Sequence, residues 1–261
     1  MFVKSVVSCF MAFALAMVAA GEEKGKLNIL CVCAHPDDAE LNCGGTLLKY
    51  HKQGHNIFIV LTTSGNTGSN VMTDIKEIER VREAETLASA KLYDAQVRFL
   101  RADDERLLDT NEMRTKVLDA MRWANPDVIF THSPTDESPD HRMTSYLVRA
   151  MVLSLPGINQ QSSEKPCTKK VSVFTWSTPK GLGFIPEVYV DISDELEAVC
   201  AAANLHESQK AWLRLYKGPK DLSAAKRIAA AFWGFQYGCA AAEGFRAWRT
   251  SGYMPDYKIL P

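Results

Sequence analysis

Residues 34–40 read Ala-His-Pro-Asp-Asp-Ala-Glu, which puts one imidazole and two adjacent carboxylates within four positions. His35 and one of the aspartates can hold a divalent metal while the other stays free to take a proton from a water. The plainer reading is that Asp37 or Asp38 caps the next helix. A second set of such groups lies downstream in Asp127-Val-Ile-Phe-Thr-His132-Ser-Pro-Thr-Asp136-Glu-Ser-Pro-Asp140-His141. If the two segments meet, His35, Asp38 and His141 surround one ion. Three protein ligands leave a coordination position open, as in catalytic rather than structural zinc.

The flanking sequence says how the two segments are held. Residues 27–33 are an apolar run of the kind that forms a strand buried on both faces. Pro36 cannot donate to a sheet ladder and disfavours helix at His35, so the strand breaks into a loop there. Residues 127–133 repeat the pattern. Further strands are predicted at 56–63, 96–101, 171–176 and 187–192. Helices are predicted from Ala39 to Lys52 and at 74–91, 110–124, 142–155 and 222–248. An alanine-rich helix capped by Ser193 and closed by His206 completes the set. Helix after strand in this order predicts an α/β fold, a Rossmann-like three-layer sandwich with a mostly parallel sheet of five or six strands. Ligands of such sheets bind at the carboxyl ends of the strands, where both segments fall. No G-x-G-x-x-G follows the first strand, which argues against a dinucleotide.

Three other features bear on the site. The loop Ser64-Gly-Asn-Thr-Gly-Ser-Asn70 has glycines that would let backbone amides approach a ligand. Arg82 and Glu85 share a helix face, where the plain expectation is an exposed ion pair. Cys31 and Cys33 lie on one strand face and are predicted to be buried thiols, set apart from Cys43 by the strand geometry.

The chain has 261 residues, 46% of them hydrophobic, and a formal charge of −1. Residues 1–20 have the form of a signal peptide, with Lys4 ahead of an apolar run and small residues before Gly21. Export, periplasmic or extracellular, is therefore expected; an uncleaved anchor is the alternative reading. Residues 21–261 read as a single domain with no membrane span of its own. There is no basic run, so nucleic acid is not an expected partner. Nothing in the sequence indicates an oligomeric state.

The chain resembles the zinc-dependent de-N-acetylases of the LmbE and GlcNAc-phosphatidylinositol deacetylase type. The resemblance is carried by Ala34-His-Pro-Asp-Asp38, Thr131-His-Ser-Pro-Thr-Asp136 and Pro139-Asp-His141. It extends through Arg82-Glu-Ala-Glu85, Asp104, His206-Glu-Ser-Gln209 and Ala242-Glu-Gly-Phe-Arg246. It implies zinc, or another divalent metal, on His35, Asp38 and His141, with Asp37 as general base. It also implies Arg82 near the substrate, Asp104 on sugar hydroxyls, and Asp140 and His206 beside the site. The substrate it implies is an N-acetylated amino sugar or a GlcNAc-containing glycoconjugate. One position departs from the pattern. The histidine that commonly stands three residues before the second metal histidine, and steadies the oxyanion, is here Ser138. That role would then be weakened, pass to His132, or rest on the metal, and a weakly active or non-catalytic carbohydrate-binding protein is the alternative expectation.

Overall fold

The computed structural model describes residues 25–178, 180–215, 218–249 and 254–261, so the predicted signal segment lies outside the described residues. The strands are β1 (Asn28–Cys33), β2 (Asn56–Thr63), β3 (Gln96–Ala102), β4 (Val128–Thr131), β5 (Ser172–Trp176), β6 (Val188–Asp191) and β7 (Ala242–Ala247). They form one sheet in the order β3-β2-β1-β4-β5-β7-β6. The first five are parallel neighbours, and β7 pairs antiparallel with both β5 and β6.

The helices are α1 (Asp38–Asn42), α2 (Gly44–Lys52), α3 (Ile75–Ser89), α4 (Asn111–Ala124), α5 (Pro139–Val152), α6 (Leu196–Ala203), α7 (Gln209–Leu215) and α8 (Leu222–Tyr237). Alternate residues of β1 feed two separate cores, which is what makes three layers. Ile29, Cys31 and Cys33 pack with Leu47 and Tyr50 of α2, Val199 of α6 and Ala230 of α8. Leu30 and Val32 pack with Val117 and Met121 of α4 and Leu147 and Val152 of α5. No helix among the described residues is long and apolar enough to cross a membrane.

Four expectations change in detail. The helix predicted from Ala39 to Lys52 is two helices meeting at Cys43, whose φ of −138° and ψ of 12° lie outside the helical region. The helix predicted at 222–248 ends at Gly238, in the left-handed conformation at φ 91°, and the chain beyond it forms β7. Its Ala240-Ala-Ala242 run favours helix locally, but pairing between β5 and β6 overrides that propensity. The helix α5 starts at Pro139 with Ser138 as its N-cap, so His141 stands in a helical first turn and not in the loop. The alanine-rich helix starts after Glu195, since Ser193 turns its hydroxyl back to Asp191 Oδ1 at 2.6 Å, and it stops at Ala203, short of His206.

The cysteine reading also needs one correction. Cys31 Sγ lies 3.4 Å from the sulfurs of both Cys33 and Cys43, because the turn through α1 brings Cys43 back under β1. All three are free and fully buried. Burial pushes the Cys31 thiol well up and the Cys33 thiol up to about 12. Metals bind the thiolate, so this cluster is an apolar one.

From the far side of the sheet, β7 fastens the start of α2. Glu243 accepts the backbone N–H groups of Gly45 and Thr46 at 2.9 and 2.8 Å and the Thr46 hydroxyl at 2.6 Å, and it pairs with Lys226 of α8. Both partners of that ion pair are 2% exposed. A carboxylate at a helix N-terminus satisfies orphan donors and opposes the helix dipole.

Candidate functional site

The strand order turns back at β1, with β2 on one side and β4 on the other. Crevices at such a switch point are where ligands of open α/β sheets bind. The loop after β1 carries His35, Asp37 and Asp38. The segment after β4 carries His132, Asp136, Ser138, Asp140 and His141.

The histidine nitrogens His35 Nδ1 and His141 Nε2 face each other at 3.1 Å. Asp38 Oδ1 is 3.5 Å from His141 Nε2, and Asp38 Oδ2 is 3.7 Å from His35 Nδ1. Ligand bonds near 2.1 Å in a tetrahedron give edges of about 3.4 Å, so the two nitrogens and the Asp38 carboxylate already stand at the separations of a metal's ligands. Asp38 is also placed from its own loop, where its Oδ2 accepts the His35 backbone N–H at 2.7 Å. Burial alone would raise the Asp38 carboxyl, but the imidazoles of His141, His132 and His35 hold it well below the usual range.

Each candidate histidine ligand is backed by a carboxylate on its far nitrogen. His35 Nε2 is 3.0 Å from Asp104 Oδ1 and 3.4 Å from Asp140 Oδ2. His141 Nδ1 is 3.1 Å from Asp136 Oδ2, a contact of ion-pair distance without good hydrogen-bond direction. Metal-ligating histidines characteristically hand their second N–H to such a group, which fixes the tautomer and the ring. Burial disfavours the His35 imidazolium, yet Asp104 and Asp140 outweigh it and push the pKa up to about 10. The proton on that ring must therefore leave when an ion binds. A second metal-sized grouping, His35 with Asp104 and Asp140, and a third, His132 with Asp136 and His141, share these same rings.

Asp104 thus stands behind His35, fixed by the Thr67 hydroxyl at 3.0 Å, rather than turned outward toward a sugar as predicted. Asp140 accepts the backbone N–H groups of Glu105 and Leu107 at 2.6 and 3.2 Å and so ties the loop after β3 to α5. Asp136 is the residue sequence reasoning left out of the site. Its signal was present, five positions before His141 at the mouth of the same loop.

Asp37 occupies the N-cap position of α1 but makes no capping bond with its side chain. Its φ is 107°, a left-handed conformation costly for a residue with a Cβ, on the order of 1–3 kcal/mol. The cost turns the carboxylate away from the helix. Burial raises its pKa to about 6 against the opposing pull of Arg82, whose Nη2 is 3.4 Å from Asp37 Oδ2. A base with a pKa in this range is matched to work near neutral pH. The side chains of His35, Asp37 and His141 keep 17, 14 and 10% exposure, so the cluster opens to solvent on their side.

Arg82 is not a surface residue. It is 3% exposed and donates to Pro36 O at 2.7 Å and Gly65 O at 3.0 Å. The expected partner Glu85 instead accepts from the backbone and hydroxyl of Ser208. His206, 1% exposed, lies 3.3 Å from Glu40 of α1, and burial is outweighed by that carboxylate so that its pKa rises.

Ser138 accepts the backbone N–H of His141 at 3.5 Å as the N-cap of α5, a backbone role. His132 is fully buried, stacked on His141 at 4.0 Å. The Ala34 N–H points at its Nε2 at 2.9 Å and the Trp176 indole N–H at its Nδ1 at 3.3 Å. A neutral imidazole accepts at one of these nitrogens and carries its proton on the other, where Asp38 Oδ2 at 3.2 Å also faces Nε2, while an imidazolium accepts at neither. Burial, then the neighbouring His141, hold the His132 pKa down to about 4. The cationic role considered for His132 does not fit this setting; it braces the two loops.

Residues 30–152 match the family described as PIG-L: GlcNAc-PI de-N-acetylase. Among relatives, the chain is 27% identical to diacetylchitobiose deacetylase of Thermococcus kodakarensis, over 84% of this chain and 82% of that protein. It is similar to the N,N'-diacetylchitobiose deacetylase of Pyrococcus horikoshii, solved with an inhibitor, at 25% identity and a TM-score of 0.75, covering 100% of this chain and 96% of that one. It is also similar to the conserved protein TT1542 of Thermus thermophilus, at 28% identity and a TM-score of 0.73, covering 90% and 99% of the two chains.

Proposed function

We propose, from the match of residues 30–152 to the GlcNAc-PI de-N-acetylase (PIG-L) family, that the chain is a zinc-dependent hydrolase that removes the N-acetyl group from an amino sugar or a GlcNAc-containing glycoconjugate. The observation that carries the reading is the group of His35 Nδ1, Asp38 and His141 Nε2 at 3.1 to 3.7 Å, each histidine backed by a carboxylate. Two imidazoles and one carboxylate suit zinc, and other divalent ions compete for the same donors. A metal held there supplies Lewis acidity to the amide carbonyl and lowers the pKa of a water.

The protein's own residues do the rest. Asp37, adjacent to the ligands but not among their contacts, accepts the water's proton and returns it to the departing amine. Its raised pKa serves both directions. Arg82 holds the carbonyl before Asp37 and the carboxylate itself, so the base stays aimed despite its strained backbone. His132 fixes the loop behind Asp38. Ser138 brings no charge to the oxyanion, which makes a slow turnover the expectation. The names of the relatives, N-deacetylases of chitobiose, support an amino-sugar substrate. Release of a primary amine from N-acetylglucosamine and its oligomers by zinc-loaded protein tests the reading. Binding of these sugars without any amine release would favour a carbohydrate-binding protein instead.

A further inference from the structure

Resting on the reading of Asp37 as the base, we infer that the turn from Gly65 to Gly68 and the segment from His206 to Gln209 form a socket for Arg82, and that Gly68 and Gln209 are positioning residues acting on Asp37 through it. The glycines of the loop after β2 would let backbone amides approach a ligand. The loop's contacts point inward. A Cβ on Gly65 would lie 2.3 Å from Arg82 Nη1, and one on Gly68 would lie 2.4 Å from the same atom. Gly65 also needs its positive φ of 61°, but Gly68 has no such backbone reason, and a Cβ there would press first on the buried guanidinium, with the Gly65 carbonyl next at 3.2 Å.

The second half of the socket comes from beyond α6. Gln209, 4% exposed, donates through Nε2 to Gly68 O at 3.0 Å. Ser208 donates its N–H and hydroxyl to Glu85 at 2.8 and 2.7 Å, one turn along α3 from Arg82. His206 meets Glu40, two residues past Asp38. One four-residue segment thus grips the glycine turn, the helix bearing Arg82 and the helix whose N-cap is Asp37. These are the three elements that meet at the strained base. A strained residue persists only where its surroundings over-determine it, and here the surroundings converge through Arg82 on the peptide and carboxylate of Asp37.

The test is a pair of double-mutant cycles. Gly68→Ala and Gln209→Ala are each made in the wild type and in Arg82→Gln, with Arg82→Lys as substitute background if Arg82→Gln does not fold. Metal content, unfolding free energy, kcat and KM are measured on all forms with N-acetylglucosamine oligomers. Misplacing a catalytic group by an ångström costs up to about 100-fold, so each single variant should lose about 10- to 100-fold in kcat with KM and zinc content nearly unchanged. Without the guanidinium the same substitutions should change kcat less than about twofold, since residues acting through a shared partner are not additive. Equal losses in both backgrounds, or a rise in KM at constant kcat, would overturn the inference. Coupling in unfolding free energy but not in kcat would also overturn it, leaving a structural role only. Absence of any amine release by the wild type would sink the deacetylase reading, while the stability cycle still reports whether Gly68 and Gln209 act through Arg82; additive stabilities there would overturn the socket itself.

Discussion

Asp104 Oδ1 lies 3.0 Å from His35 Nε2, on the opposite side of the ring from the nitrogen that faces His141. If His35 holds a metal as proposed, this contact makes Asp104 the partner that orients its ring. Asp104→Asn should therefore lower zinc affinity by about 10- to 100-fold, and Asp136→Asn should act in the same way on His141. Competition against a fluorescent chelator measures both. Unchanged affinity with a raised KM for Asp104→Asn would return Asp104 to the sugar-binding role that the family resemblance implies.

Asp37 and Asp38 are neighbours with different surroundings, and their isosteric variants should separate. Asp37→Asn keeps the metal and loses activity by about 10²–10⁴, the usual range for removing a general base. Asp38→Asn loses the metal. Zinc content by atomic absorption, set beside amine release, decides the assignment, and loss of metal from Asp37→Asn alone would reverse it.

The pH profile should carry an acid limb set by Asp37. Its carboxyl is raised to about 6 by burial and held from rising further by Arg82. The base works only when ionised, so the rate falls as pH drops through that pKa. In Arg82→Gln the opposing charge is gone, the pKa rises, and the limb moves to higher pH. A limb that stays in place in Arg82→Gln would show that another group sets it.

Much of the protein's stability should depend on Glu243. It accepts from Gly45, Thr46 and Lys226 in a buried setting. Glu243→Ala leaves the two α2 amides without their acceptor and the Lys226 ammonium with the Leu41 carbonyl at 3.1 Å in place of a counter-charge, and losing one member of such a pair costs about 3–5 kcal/mol. Glu243→Gln keeps an acceptor and should cost less. Urea unfolding at neutral pH measures the difference, and equal stability of Glu243→Ala and wild type would contradict the account.

How much of this could be read from the sequence depended on whether the signal was local. The apolar runs before His35 and before His132 predict two neighbouring core strands, and the prolines behind them predict where polar side chains leave the sheet. That was enough to bring His35, Asp38 and His141 together. The antiparallel β7 was hidden because Ala240-Ala-Ala242 has helix propensity, and only its partners β5 and β6 make it a strand. The site's supports were hidden for a similar reason. Arg82 reads as a helical surface residue until the loop holding Gly65 and Gly68 folds over it. The φ of Asp37 has no sequence signature at all, since aspartate before a helix ordinarily signals a cap.

The central claim is that one metal ion on His35, Asp38 and His141 enables amide hydrolysis of an N-acetylated amino sugar. Zinc content and amine release from N,N'-diacetylchitobiose, measured together on wild type, His35→Ala and His141→Ala, test it most directly. The account predicts close to one zinc per chain and metal-dependent amine release for the wild type, with both lost in the two variants. Full zinc occupancy in both variants, or a zinc-loaded wild type that releases no amine from any N-acetylated sugar, would contradict it.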